Sequence, residues 1–178
     1  GTFSHWSHMS DEARLNSSEM AKKQWEGMSE EERSNLRRAA AEAVRRAAKE
    51  GSKMEKFLRK GLTKTGRSVI FHKMGLVANQ KLEIDLFLPD SKVAIEVDGP
   101  SHFFPIWGEE NLQKTIKSDA HKSGLLLQSG YVVLRIKNIT KNFSGKKQRD
   151  LLARVVEILE DVEKQFPDKS KRFLEIEA

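Results

Sequence analysis

Glu83-Ile-Asp-Leu-Phe-Leu-Pro-Asp-Ser-Lys-Val-Ala-Ile-Glu-Val-Asp-Gly-Pro-Ser-His102 reads as two strands meeting at a tight Pro-Asp-Ser-Lys turn. Side chains alternate between the faces of a strand. Val93, Ile95 and Val97 therefore point to one side, and Ala94, Glu96 and Asp98 to the other. The turn brings Asp85, Glu96, Asp98 and His102 together. Carboxylates this close repel unless a cation or a proton lies between them. A strand has no folding reason to carry that arrangement, and a divalent metal site explains it.

Reading outward from this pair, the period changes on both sides. Upstream, Ser68–His72 reads as a strand, so that 68–72, 81–88 and 92–98 form an antiparallel meander. Before it, Ser52 and Glu55 form a capping box, opening a helix over 53–61 that turns Met54, Phe57, Leu58 and Leu62 toward a core. Downstream, 109–129 reads as a helix. The apolar run 131–136 reads as a buried strand, and 147–166 as an amphipathic helix. Because a crossover helix precedes it, the strand 131–136 is placed parallel to 92–98. The expectation is an α/β fold, a restriction-endonuclease-like mixed β-sheet flanked by helices, over 52–166, with a C-terminal tail over 167–178.

Residues 1–51 read as a helical, basic, DNA-binding extension. Ser17 or Ser18 caps a short helix near 17–27, and Ser29 with Glu32 opens another over about 30–50. The apolar content of the second helix is mostly Ala, which buries little area. His5 and His8 have no cluster of acids or cysteines around them.

Composition narrows the classes. The chain has 178 residues, no Cys and a net charge of +6, so disulfides and Cys-based zinc sites are excluded. No apolar run reaches membrane-spanning length and no signal-peptide pattern opens the chain, so a cytoplasmic protein, of a phage or its bacterial host, is expected. Between Arg33 and Lys73, thirteen Lys/Arg face three acids, Glu42, Glu50 and Glu55. Such a concentration suits a polyanion. The candidate DNA contacts are Arg37, Arg38, Arg45, Arg46, Lys53, Lys56, Arg59, Lys60, Lys64 and Arg67. A solvated helical face would look the same in sequence.

The element order and the acids over residues 52–140 resemble the PD-(D/E)xK nuclease superfamily. Glu55, Asp85, His102 and Asp119 occur in the order of the Glu-Asp-x-His-Asp motif of very-short-patch-repair-like and phage homing endonucleases. The resemblance makes Asp85 a metal-binding Asp, Glu96 the second acid, and His102 an acid–base group. Asp98 stands where the general pattern has Lys, a departure that the subgroup shares. Asp119 and Lys122 fall one turn apart on the crossover helix. The implied activity is Mg²⁺-dependent hydrolysis of DNA phosphodiesters, with Mn²⁺ able to substitute. Asp85, Glu96 and Asp98 would be the ligands, His102 would move a proton, Asp119 would orient His102, and Lys122 would contact phosphate. The partner is double-stranded DNA, bound as a homodimer if one site is to cut both strands.

Each residue also has a plainer reading. Glu55 can be only a cap, Glu96 an exposed strand residue, and Asp119 a solvated helix acid. Phe103, Phe104 and Trp107 can be core or touch substrate, and His72 and His121 receive no role. Ile95-Glu-Val-Asp-Gly-Pro-Ser-His-Phe also resembles the signature of RAP domains, which implies an RNA-binding module without DNA cleavage as the alternative function. RAP domains usually follow long helical repeats, and this chain has none. A third reading is a non-catalytic DNA-binding protein on a decayed nuclease fold.

Overall fold

The structure, a computed structural model, describes residues 11–50, 52–140 and 142–178. The chain runs α1 (Asp11–Glu26), α2 (Glu30–Glu50), α3 (Lys53–Lys64), β1 (Ile70–Met74), β2 (Glu83–Leu88), β3 (Val93–Asp98), α4 (Glu109–Gln128), β4 (Val132–Lys137), α5 (Gly145–Lys164) and β5 (Phe173–Glu177). Five strands form one mixed sheet in the order β1-β2-β3-β4-β5. β1, β2 and β3 pair antiparallel, as the meander predicts, and β4 joins β3 in parallel. The chain is an α/β protein whose mixed sheet is flanked by helices.

The C-terminal residues correct the sequence reading. Residues 167–178 are not a tail: β5 pairs parallel with β4 through Phe173, Leu174, Glu175, Ile176 and Glu177. The segment alternates apolar and charged residues, the strand period, but only five residues carry it.

The main core lies on one face of the sheet. There Leu86, Leu88, Val93, Ile95, Leu134, Ile136, Leu174 and Ile176 meet Met54, Leu58 and Leu62 of α3 and Leu151, Val155, Ile158, Leu159 and Val162 of α5. Gly61 lets the two helices approach, since a Cβ there would lie 2.7 Å from Leu152 Cδ2. The opposite face holds a smaller apolar group, Ile84, Phe87, Ala94, Val133 and Phe173, against Leu126 of α4. That group stops short of the strands' ends, and Glu96, Asp98, Arg135 and Glu175 occupy the remainder of this face.

The N-terminal helices do not stand off as an arm. Ala21 and Trp25 of α1 and Leu36 and Ala40 of α2 pack against Phe103, Phe104 and Ile106, with the Trp25 and Phe104 rings stacked at 6.1 Å. An Ala-rich pair with little core of its own thus borrows the apolar loop that follows His102. α1 already includes Asp11, the first described residue, and so reaches further toward the N-terminus than the expected 17. Among the described residues no helix is long and apolar enough to cross a membrane.

Candidate metal centre

The site forms where the sheet opens. β2 and β3 pair from Leu88↔Val93 to Leu86↔Ile95 and then part. At the opening the Val97 N–H donates to Asp85 Oδ2 at 2.8 Å instead of to a strand carbonyl. Ile84 packs with Phe87 and Ala94, not with Leu86 and Leu88, so the alternation of β2 slips at Asp85. On the other side of β2, the ladder to β1 skips a pair between Phe71↔Leu86 and Lys73↔Ile84. There His72 faces Asp85 with a φ of 51°, a conformation that costs a non-glycine residue about 1–3 kcal/mol.

Three overlapping groups of ligand atoms, each with its atoms within 4.8 Å of one another, run across this opening: Glu55, His72 and Asp85; Asp85, Glu96 and Asp98; and Asp98, His102 and Asp119. Lys122 of α4 donates to Glu96 Oε2 at 2.9 Å and to the backbone carbonyl of Glu83. The structure therefore brings together all seven residues that the sequence nominated: Glu55, Asp85, Glu96, Asp98, His102, Asp119 and Lys122. Glu55 is both cap and site residue. Its Oε2 accepts the Ser52 N–H at 2.9 Å, which leaves Oε1 for the cluster.

Burial sets the electrostatics. Burial pushes the Glu96 carboxyl up to about 8, with the nearby Asp85 charge adding to it and Lys122 opposing. Burial also raises Asp85 to about 6, while the Val97 hydrogen bond works against it. Two carboxyls that resist ionisation side by side are a poor structural element and a good receptor for positive charge. Glu96 Oε1 is buried and has no hydrogen-bond partner, and the same is true of Glu55 Oε1. Unsatisfied buried acceptors cost free energy unless something else satisfies them. Three carboxylates around an orphaned oxygen are the donor set of a hard divalent cation, and Asp85, Glu96 and Asp98 fit one.

Beside them lies an imidazole paired with carboxylates. His102 closes a one-turn 3₁₀ helix, Pro100–His102, and its Nδ1 lies 2.8 Å from Asp119 Oδ2 and 3.8 Å from Asp98 Oδ1. Burial alone would lower its pKa, but the Asp119 hydrogen bond and the Asp98 charge outweigh it and leave the imidazole raised. With the proton on Nδ1 facing Asp119, Nε2 is the atom free to accept one.

Sequence reasoning missed two residues here. Arg135 of β4 donates through Nε to Asp98 Oδ2 at 2.6 Å and through Nη2 to Asp119 Oδ2 at 2.8 Å. Its guanidinium lies 4.5 Å from the centre of the Phe103 ring. The available signal was an Arg inside the continuous apolar run Val132–Ile136. His72 was the other: it closed the strand expected over 68–72, which gave no comparable signal, whereas β1 runs Ile70–Met74 with His72 at its centre. Phe103 and Phe104 are core, whereas Trp107 is exposed.

The basic residues divide. Lys56, Arg59, Lys60 and Lys64 line one face of α3, and Arg59 lies over Phe71, next to His72. Lys53 is exposed at the start of the same helix. Arg67 is held by Glu163 at 2.7 Å, and Arg37 by Glu30 at 3.0 Å. Arg38 is exposed on α2. The side chains of Arg45 and Arg46 lie outside the described residues, as do His5 and His8.

No protein-family model, curated protein or solved structure matches the chain significantly.

Proposed function

We propose that the protein is a metal-dependent endonuclease that hydrolyses DNA phosphodiesters, with Mg²⁺ as its ion and Mn²⁺ able to replace it. One observation carries the reading. Asp85, Glu96 and Asp98 converge on the open end of the β2–β3 pair, with Glu96 Oε1 buried and unpartnered and Lys122 2.9 Å from its other oxygen.

Asp85, Glu96 and Asp98 would hold the ion, which when bound supplies charge stabilisation at the phosphoryl oxygens and lowers the pKa of an attacking water. Lys122 is placed to neutralise charge on a phosphate beside the carboxylates, the role that Lys fills at the position Asp98 occupies in the resembled family. His102 accepts or returns a proton at Nε2, while Asp119 fixes the ring through Nδ1. Arg135 bridges Asp98 and Asp119 and offsets their mutual repulsion. The basic face of α3, linked to Glu55 through Arg59, Phe71 and His72, would take the duplex backbone on either side of the cut.

Supercoiled plasmid incubated with the protein in Mg²⁺ or EDTA, beside Asp85→Asn, tests this. Nicking or linearisation that needs the ion and is lost in the variant is the expected result. Equal cleavage in EDTA, or by Asp85→Asn, would sink the reading. Tight single-stranded RNA binding with no cleavage would favour the RNA-binding alternative.

A further inference from the structure

We infer that Glu55, His72 and Asp85 form a second cation site, one that takes a divalent transition metal such as Zn²⁺ in preference to Mg²⁺. The site shares Asp85 with the carboxylate centre but includes an imidazole. That nitrogen ligand changes the chemistry. Imidazole suits zinc and its neighbours, whereas Mg²⁺ takes oxygen ligands and waters.

Several features of the structure support it. Glu55 is 6 % exposed, and its Oε1 has no hydrogen-bond partner. Its other oxygen is tied to the Ser52 N–H, so the carboxylate cannot turn away to relieve it. His72 Nε2 lies 3.6 Å from that orphaned oxygen, beyond hydrogen-bond length. The distance is near the roughly 3.4 Å that separates two ligands of one tetrahedral ion with bonds of about 2.1 Å. The other ring nitrogen, Nδ1, is paired with Glu83 Oε1. A carboxylate behind one nitrogen fixes the tautomer and aims the other at the ion, as in carboxylate–histidine–zinc arrangements. Finally, Asp85 meets the Val97 N–H with Oδ2, leaving Oδ1 for an ion. The strained backbone of His72 places its ring at the break in the β1–β2 ladder. Three protein ligands leave a coordination position open, the pattern of reactive rather than structural zinc.

The test is a Zn²⁺ titration of the full chain against a chromophoric chelator, with Mg²⁺ in excess. His72→Asn removes the imidazole but tolerates the left-handed backbone, and His72→Ala, Glu83→Gln and the exposed His121→Ala accompany it. Zn²⁺ affinity should fall about a hundredfold in both His72 variants, about tenfold in Glu83→Gln, and not at all in His121→Ala. Unchanged affinity in His72→Asn, or Zn²⁺ affinity lost in full once the excess Mg²⁺ is present, would overturn the inference. Plasmid cleavage in Mg²⁺ without Zn²⁺ reports separately on the nuclease reading. Zinc bound through His72 by a protein that cuts nothing removes that reading alone. Cleavage with no His72-dependent zinc removes this one alone.

Discussion

Asp85 and Val97 are joined by a hydrogen bond that substitutes for a rung of the sheet: the Val97 N–H donates to Asp85 Oδ2 at 2.8 Å where β2 and β3 part. One carboxylate oxygen completes the backbone and the other is left among Glu55, Glu96 and Asp98. The sheet's stability and the site's charge therefore meet in one side chain.

Asp85→Asn and Asp85→Ala separate the two roles. The amide oxygen of Asn can still accept from Val97, so Asp85→Asn should melt close to the parent but gain nothing from Mg²⁺. Asp85→Ala orphans the Val97 N–H and should lose a further ~1–3 kcal/mol. Melting curves with and without Mg²⁺ measure both. A parental Mg²⁺ response in Asp85→Asn would contradict this assignment.

Metal-free stability should fall as pH rises. Burial holds Glu96 at about 8 and Asp85 at about 6, so the folded state binds protons that the unfolded chain has already released. For acids shifted upward, stability is greatest at low pH and is lost as pH rises through the folded values. The raised His102 imidazole adds in the same direction. Affinity for Mg²⁺ should climb over the same window, because the ion displaces those protons. Melting temperature against pH in EDTA and in Mg²⁺ reads both trends. Glu96→Gln should flatten the metal-free curve, and a flat parental curve would refute the assignment.

How far the sequence foretold this depends on the range over which its signals act. The β2–β3 acids were legible because period-2 alternation is local, and a charged residue out of phase with Val93, Ile95 and Val97 has few structural excuses. The meander and the crossover followed from changes in period. Four things were not legible. β5 carries its signal in five residues, and its pairing with β4 depends on a neighbour some forty residues away. His72 owes its place to a backbone twist that no residue type announces. Arg135 finds its partners on α4 and β3, so only the tertiary fold gives it meaning. Docking of α1 and α2 on Phe103, Phe104 and Ile106 likewise joins segments whose apolar residues looked scattered when read separately.

Arg135 makes a prediction of its own. It pairs with three mostly buried carboxylates, Asp98, Asp119 and Glu175, and removing one partner of a buried ion pair typically costs ~3–5 kcal/mol because the others are left uncompensated. Arg135→Met should therefore destabilise by about that much in urea unfolding. Adding Asp98→Asn to Arg135→Met should recover part of the loss by removing one stranded charge. Arg135→Lys cannot reproduce the fork to both Asp98 and Asp119 and should fall between parent and Arg135→Met. Equal stability of parent and Arg135→Met would show that the guanidinium holds nothing together.

The face of α3 is the place to test duplex binding apart from chemistry. Arg59, Lys60 and Lys64 lie on it, and none is a member of the metal-ligating groups. Charge contacts to phosphate act through counterion release, so each one lost lowers the slope of log affinity against log salt by about 0.9. Replacing Lys60 and Lys64 by Ala should weaken binding to any duplex, irrespective of sequence, and reduce that slope by about 2. Arg67→Ala should change it less, because Glu163 already holds that guanidinium. Fluorescence anisotropy of a labelled duplex across a salt series, in EDTA so that no strand is cut, measures the slopes. If the Lys60/Lys64 double variant keeps the parental slope, the phosphates lie against some other surface, and the exposed Arg38 on α2 becomes the next position to replace.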